Sequence, residues 1–179
     1  MKAFVAAAVL FLGVATTAQA ATLDDVKARG SLNCGVNQNL QGFGAKDADG
    51  AYTGFDIDFC RAVASAALGD PGKVTYVPLS AQERFEALKS GKVDVLARNT
   101  TNTLNRDGSL GLHFIGANYY DGQGFMVPKG KITSAKQLKG ATVCVQSGTT
   151  TEKNLTDYSR ANKLNLKPVE FEQVDAATG

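Results

Sequence analysis

The stretch Val95–Ser109, VLARNTTNTLNRDGS, places two arginines, three asparagines and three threonines directly behind a short apolar run. A guanidinium meets a carboxylate with two parallel N–H···O bonds, which is the strongest common recognition of that group. Arg106 stands among threonines able to donate to the same oxygens, so this passage can grip a carboxylate. An ordinary solvated loop is the other reading, because exposed arginine is usually only a solvated charge. A second candidate is VQSGTTTEKN, Val145–Asn154, where a glycine precedes threonines at a predicted helix start. Backbone N–H groups there are free to hold an anion. The alternative is that Thr150 or Thr151 merely caps the helix, with Glu152 in its first turn. Arg84 is a third oddity, since a cation near a helix start opposes the dipole. A ligand anion accounts for it, and so does a surface ion pair with Asp58 or Glu83.

Catalytic and metal chemistry find no such support. The chain has no G-x-S-x-G and no phosphate-cradling G-x-x-x-x-G-K, and its single histidine, His113, lies in an apolar stretch. Cys34, Cys60 and Cys144 have no metal-ligand spacing, so no metal and no cofactor are expected.

These residues need elements to hold them. Residues 1–20 read as a cleaved signal peptide: Lys2, an apolar run from Ala3 to Val14, then Ala18-Gln19-Ala20. Export into a periplasm follows, and with it an oxidising environment. With Lys2 removed, 18 basic residues face 17 acidic ones, which offers no electrostatic footprint for nucleic acid or an anionic membrane. Ser31–Val36, Lys73–Leu79 and Val93–Ala97 read as strands. Phe55–Leu68 reads as a helix with Phe55, Phe59, Val63 and Ala67 along one stripe. Ser80-Ala81-Gln82-Glu83 is a capping box opening a helix that should bury Phe85 and Leu88. Strand, helix, strand, helix, strand implies an α/β sandwich with parallel pairing, whose ligands bind beyond the carboxyl ends of the strands. Both the Val95–Ser109 run and GVNQNLQGFG, Gly35–Gly44, leave such ends as loops. Cys34 on a strand and Cys60 on the next helix can form a disulfide, which leaves Cys144 over.

After DGQGFMVPKG, Asp121–Gly130, the alternation restarts. Thr133–Leu138 reads as a short helix, Ala141–Val145 as a strand, Thr150–Leu164 as a helix and Pro168–Phe171 as a strand, with a further helix beginning at the end. The domain reading is a signal peptide over 1–20, a first lobe over 21–125, and the start of an incomplete second lobe over 126–179.

Taken together, GFDID (Gly54–Asp58), ALKSGKVDV (Ala87–Val95), NTTNTLNR (Asn99–Arg106) and VQSGTTTE (Val145–Glu152) resemble the periplasmic solute-binding proteins of polar amino-acid ABC transporters. The longer matches NCGV, FDIDFCRAVA, DVLARNTTNTLNRD and NYYDGQGFMV resemble the general L-amino-acid-binding branch, and the likeness is to its amino-terminal half. The resemblance implies a two-lobed periplasmic-binding-protein-like (type II) fold, with the first lobe mostly present and the second truncated. It implies a monomer that binds a free L-amino acid and delivers it to a membrane permease. Arg106 would clamp the ligand α-carboxylate with help from Thr101, and Asn99 would accept from the α-amino group. Thr149 would complete the carboxylate cradle through its backbone N–H and hydroxyl, with Gln146 lining the site nearby. Arg84 would read a side-chain carboxylate. Asn37, a neutral amide, implies broad specificity, and Leu40 in place of a stacking aromatic argues against a preference for basic ligands. Cys144 would pair with a cysteine beyond the chain. Two other outcomes stay open: an exported dehydratase of the cyclohexadienyl or arogenate type on the same fold, and a truncated product that binds nothing.

Overall fold

The computed structural model describes residues 21–172. The expected signal peptide and the helix expected after Glu172 lie outside them.

Helix α1, Ala21–Arg29, precedes strand β1, Leu32–Val36. The helix is a departure from the sequence reading. It carries no broad apolar stripe, and Val26 alone enters the core. Arg29 ties its end to Asp94 by an ion pair, and the same carboxylate accepts from Asn33 N–H at 2.7 Å.

β1 is the middle strand of a parallel sheet. It pairs with β5, Val74–Pro78, on one side and with β6, Val95–Leu96, on the other. The strand expected over 93–97 shrinks to two residues because the chain turns away at buried Ala97 and Arg98. Alternation along β1 sorts the two faces. Leu32, Cys34 and Val36 point to one face, packing with Val26, Ile57, Cys60 and Ala64. Gly35 points to the other face, where a Cβ would lie 2.9 Å from both Leu79 and Leu96 side-chain carbons. Its missing side chain makes room for the cluster of Leu79, Ala87 and Val93.

Helix α2, Phe55–Leu68, has the expected bounds. Gly54 begins it at φ 119°, with a position for Cβ only 2.4 Å from Phe43 O, so no other residue is accommodated there. Gly69 ends it in the left-handed conformation. The buried stripe differs from the expected one. Asp56, Ile57, Cys60 and Ala64 are buried, while Phe59, Val63 and Ala67 flank the core and Phe55 is 41% exposed. A disulfide joins Cys34 to Cys60, with Cα atoms 6.1 Å apart, and this fixes which side of the helix faces the sheet.

The Gly35–Gly44 passage is more ordered than a loop. Strands β2, Asn39–Leu40, β3, Gly44–Lys46, and β4, Tyr52–Thr53, form a small antiparallel meander. Helix α3, Arg84–Lys89, follows the expected capping box, in which Ser80 N–H donates to Glu83 and Glu83 N–H to the Ser80 hydroxyl. Its buried residues are Arg84 and Ala87, whereas Phe85 and Leu88 are only half-buried.

A turn of π-helix, Asn105–Ser109, carries Arg106. From Gly111 to Val127 the chain runs without helix or strand. The later part then holds a 3-10 turn, Ala135–Leu138, strand β7, Thr142–Gln146, helix α4, Thr150–Ala161, and strand β8, Lys167–Phe171. β7 and β8 pair in parallel over a cluster of Leu138, Val145, Leu155, Leu164 and Leu166. Cys144 is exposed on β7 with a free thiol.

Candidate ligand-binding site

Parallel pairing places the carboxyl ends of β1, β5 and β6 on one rim. From it come Asn37, Leu79 and Arg98-Asn99. Arg84 of α3 and Arg106 of the π-turn converge on the same place, so three guanidinium groups share it. All are buried: Arg84 is 1% exposed, Arg98 6% and Arg106 7%. Neither the solvated loop nor a surface pair describes them. Asp58 pairs with Arg61 at 2.7 Å, and Glu83 is engaged by Ser80, so Arg84 has neither expected carboxylate.

Carbonyl oxygens hold these cations instead. Arg84 Nη1 donates to Asn99 O at 2.8 Å and to Thr100 Oγ1 at 3.4 Å, and Nη2 to Gly148 O at 3.2 Å. Its Nε–H is buried and has no partner among the described residues. Arg106 Nη1 donates to Thr101 O at 2.8 Å. Arg98 Nη1 donates to Leu79 O at 3.0 Å. Phe85 serves two of them, with the Arg84 guanidinium 4.7 Å and the Arg106 guanidinium 5.0 Å from its ring centroid.

Electrostatics shows what the arrangement lacks. Burial, then repulsion from Arg98 and Arg106, pushes the Arg84 guanidinium down to about 9. Burial brings Arg98 to about 10, with the Asp56 carboxylate acting the other way, and burial also lowers Arg106. All three guanidinium groups are charged at neutral pH, and the downward direction of the shifts reflects the cost of burying positive charge. Among the described residues Asp56 offers the nearby negative charge, and its own pKa is raised because burial outweighs Arg98. Among the described residues none of the three arginines makes an ion pair. The cluster thus gathers three buried positive charges with no paired carboxylate among the described residues.

The opposing wall comes from the turn between β7 and α4. Thr149 is the N-cap, rather than Thr150 or Thr151. Its hydroxyl donates to Gln146 O at 2.7 Å and accepts from Glu152 N–H at 3.2 Å, so the hydroxyl is used by the helix itself. Glu152 takes Gly148 N–H at 2.8 Å. The N–H groups of Thr150 and Thr151, in the first turn, have no intrahelical acceptor. Thr150 Oγ1 lies 3.0 Å from Thr101 Oγ1, and Gln82 Nε2 donates to Ser147 Oγ at 2.6 Å, so this wall closes on the first rim. Gln146 is turned aside, its amide nitrogen held by Glu172 O at 2.9 Å.

Asn37, Asn99, Thr101, Arg84, Arg106 and Thr149 are therefore brought around one place, and Gln146 stands at its edge. Arg98, Asp56 and Phe85 escaped the sequence reading as site residues. For Arg98 the available signal was its place directly behind a buried strand.

Residues 32–173 match the bacterial extracellular solute-binding proteins, family 3. The chain belongs to that family. Among curated relatives, the general L-amino acid-binding periplasmic protein AapJ of Rhizobium johnstonii is 58% identical over 97% of this chain and 51% of its own length. The glutamate/glutamine/aspartate/asparagine-binding protein BztA of Rhodobacter capsulatus is 58% identical over 94% of this chain and 50% of its own. A periplasmic binding protein of an ABC transporter from Brucella ovis, solved with glutathione bound, superposes with a TM-score of 0.83 at 60% identity, covering 87% of this chain and 50% of that one. The fold is thus that of the type II periplasmic binding proteins, and the chain spans about half the length of the curated relatives it matches. These relatives are binding proteins rather than enzymes.

Proposed function

We propose that the protein is the periplasmic substrate-binding component of an ABC importer for L-amino acids, with broad specificity that includes glutamate and aspartate. It works as a monomer, without catalysis, and hands its ligand to a membrane permease. The observation that carries this reading is the buried cationic cluster of Arg84, Arg98 and Arg106, whose Arg84 Nε has no partner among the described residues. A cluster this costly without an anion is suited to a ligand that brings one.

The amino acid lies between a first lobe, 21–125, and a second lobe beginning at 126. Arg106 takes the α-carboxylate, with Thr101 and the α4 N–H groups of Thr150 and Thr151 beside it. Thr149 contributes by capping the helix that presents those groups. The Asn99 carbonyl, already accepting from Arg84, has a second lone pair for the α-amino group. Arg84 faces the side chain, with Asn37 nearby, and Gln146 lines the edge. Hydrogen bonds to charged groups contribute roughly 1.5–3 kcal/mol each, so several are needed to offset dehydration of a small zwitterion. Glutathione, bound by the Brucella ovis protein, presents one free amino-acid end, which suits the same cradle.

Calorimetric titration tests the reading. The purified protein is expected to bind glutamate, and Arg106→Ala to abolish binding of every amino acid tried. Arg84→Ala should weaken glutamate and aspartate more than alanine or leucine. Binding that survives Arg106→Ala in a folded protein contradicts the assignment.

A further inference from the structure

Arg98 is one of the three buried cations, yet its hydrogen bonds point away from any ligand. Nη1 is held by Leu79 O, while Nε and Nη2 both donate to Asn99 Oδ1, at 3.2 and 2.8 Å. A third donor, Asn37 Nδ2, reaches the same oxygen at 3.3 Å. Asn37 is itself oriented, because its Oδ1 accepts Asn39 N–H at 3.0 Å. A guanidinium has donors and no acceptor, so a reversed Asn99 amide would set N–H against N–H. The orientation of Asn99 is dictated by chemistry.

We propose that Arg98 is a positioning residue that fixes the Asn99 amide with its Nδ2 donors outward, so that this corner of the site selects ligands carrying hydrogen-bond acceptors. Asn99 is exposed at the rim, and its Nδ2 has no partner among the described residues. The Arg84 guanidinium adjoins the same residue, its Nη1 donating to the Asn99 carbonyl at 2.8 Å. A side chain ending in carboxylate, amide or peptide carbonyl finds complementary partners there. One ending in an ammonium group meets the N–H side of the Asn99 amide rather than its oxygen. Without Arg98 only the longer bond from Asn37 Nδ2 still holds that oxygen, and the amide can turn over to offer Oδ1. The selectivity part of this inference rests on the function proposed above; the positioning part does not.

Two measurements separate them. In nitrogen-resolved NMR of the purified protein, the Arg98 Nε–H should be protected from solvent exchange, and Asn99→Ala should remove that protection. Equal, fast exchange in both proteins would overturn the positioning. The second measurement compares affinities for glutamate, glutamine, leucine and lysine in the wild type and in Arg98→Met/Asp56→Asn, which removes one charge of each sign. The lysine-to-glutamine affinity ratio should rise by at least about tenfold, 1.4 kcal/mol, in the double variant. A purely structural role would weaken all four ligands together, and an unchanged ratio overturns the inference. Should the double variant not fold, Asn99→Leu supplies the comparison: it removes the Nδ2 donors, so glutamine must lose more than leucine. If the wild type binds none of these ligands while Arg98 Nε–H is protected, the proposed function fails, selectivity falls with it, and the positioning stands.

Discussion

Arg84 Nη2 donates to Gly148 O at 3.2 Å, so the first residue of α3 grips the turn that opens α4. The same guanidinium holds Asn99 O, which makes Arg84 a bridge between two strand ends. It remains a poorly compensated cation, pushed down to about 9. Removing a buried cation that has no paired anion relieves its desolvation cost, which offsets the donors lost at Asn99 O and Gly148 O. Arg84→Met is therefore expected to melt, without ligand, within about 1 kcal/mol of the wild type or above it. Glutamate at about 100 times its Kd should stabilise the wild type by roughly 2.7 kcal/mol, and the variant by less than half of that. Melts with and without glutamate check both statements.

Phe85 is half-buried, with two guanidinium groups over its ring. The ring quadrupole attracts both cations at about 0.5–1 kcal/mol each. Phe85→Leu keeps the apolar bulk but discards this attraction, so glutamate affinity should fall by about 5- to 30-fold, equivalent to 1–2 kcal/mol. Titration calorimetry on the folded variant reads the loss.

Asp56 supplies the pH dependence. Its folded pKa is raised above 3.8 by burial, so the folded state binds more protons than the unfolded state between those two values. Stability from this group is fully present below 3.8 and is lost as pH rises through the folded pKa. Asp56→Asn lacks that titration. Denaturant unfolding over a pH series should show the variant gaining stability relative to wild type across this window, then running parallel above it.

The sequence showed where the parallel strands and most helices lie, because their punctuation is local. Gly54 and Gly69 bracket α2, and the Ser80–Glu83 box opens α3. Rotation about the helix axis was less legible. The stripe of Phe55, Phe59, Val63 and Ala67 is regular, but the Cys34–Cys60 bond turns Ile57, Cys60 and Ala64 inward instead. The meander β2–β4 has strands of only two or three residues, too short for period-two alternation to register. Helix α1 is fixed by Val26 and the Arg29–Asp94 pair, both nonlocal. In the site, Arg106 and Arg84 stood out by residue type. Arg98 did not, since its role depends on oxygens 19 residues away at Leu79 and beside it at Asn99.

The disulfide closes a loop with sequence separation 26 between Cys34 and Cys60, both wholly buried. Chain-entropy arithmetic gives about 3.5 kcal/mol for a loop of that length. The Cys34→Ser/Cys60→Ser variant should lose about that much stability, or about 7–14 °C in Tm for a chain of this size. Any variant that remains folded should keep the wild-type order of ligand preference. Thermal melts and calorimetry check the two halves.

The most direct measurement is a crystal structure of the protein grown with glutamate. The α-carboxylate is expected within hydrogen-bond distance of the Arg106 guanidinium and the Thr150 and Thr151 N–H groups, with the side-chain carboxylate at Arg84 Nε. Glutamate bound elsewhere, with Arg84 and Arg106 still holding only Asn99, Gly148 and Thr101 carbonyls, would contradict the account.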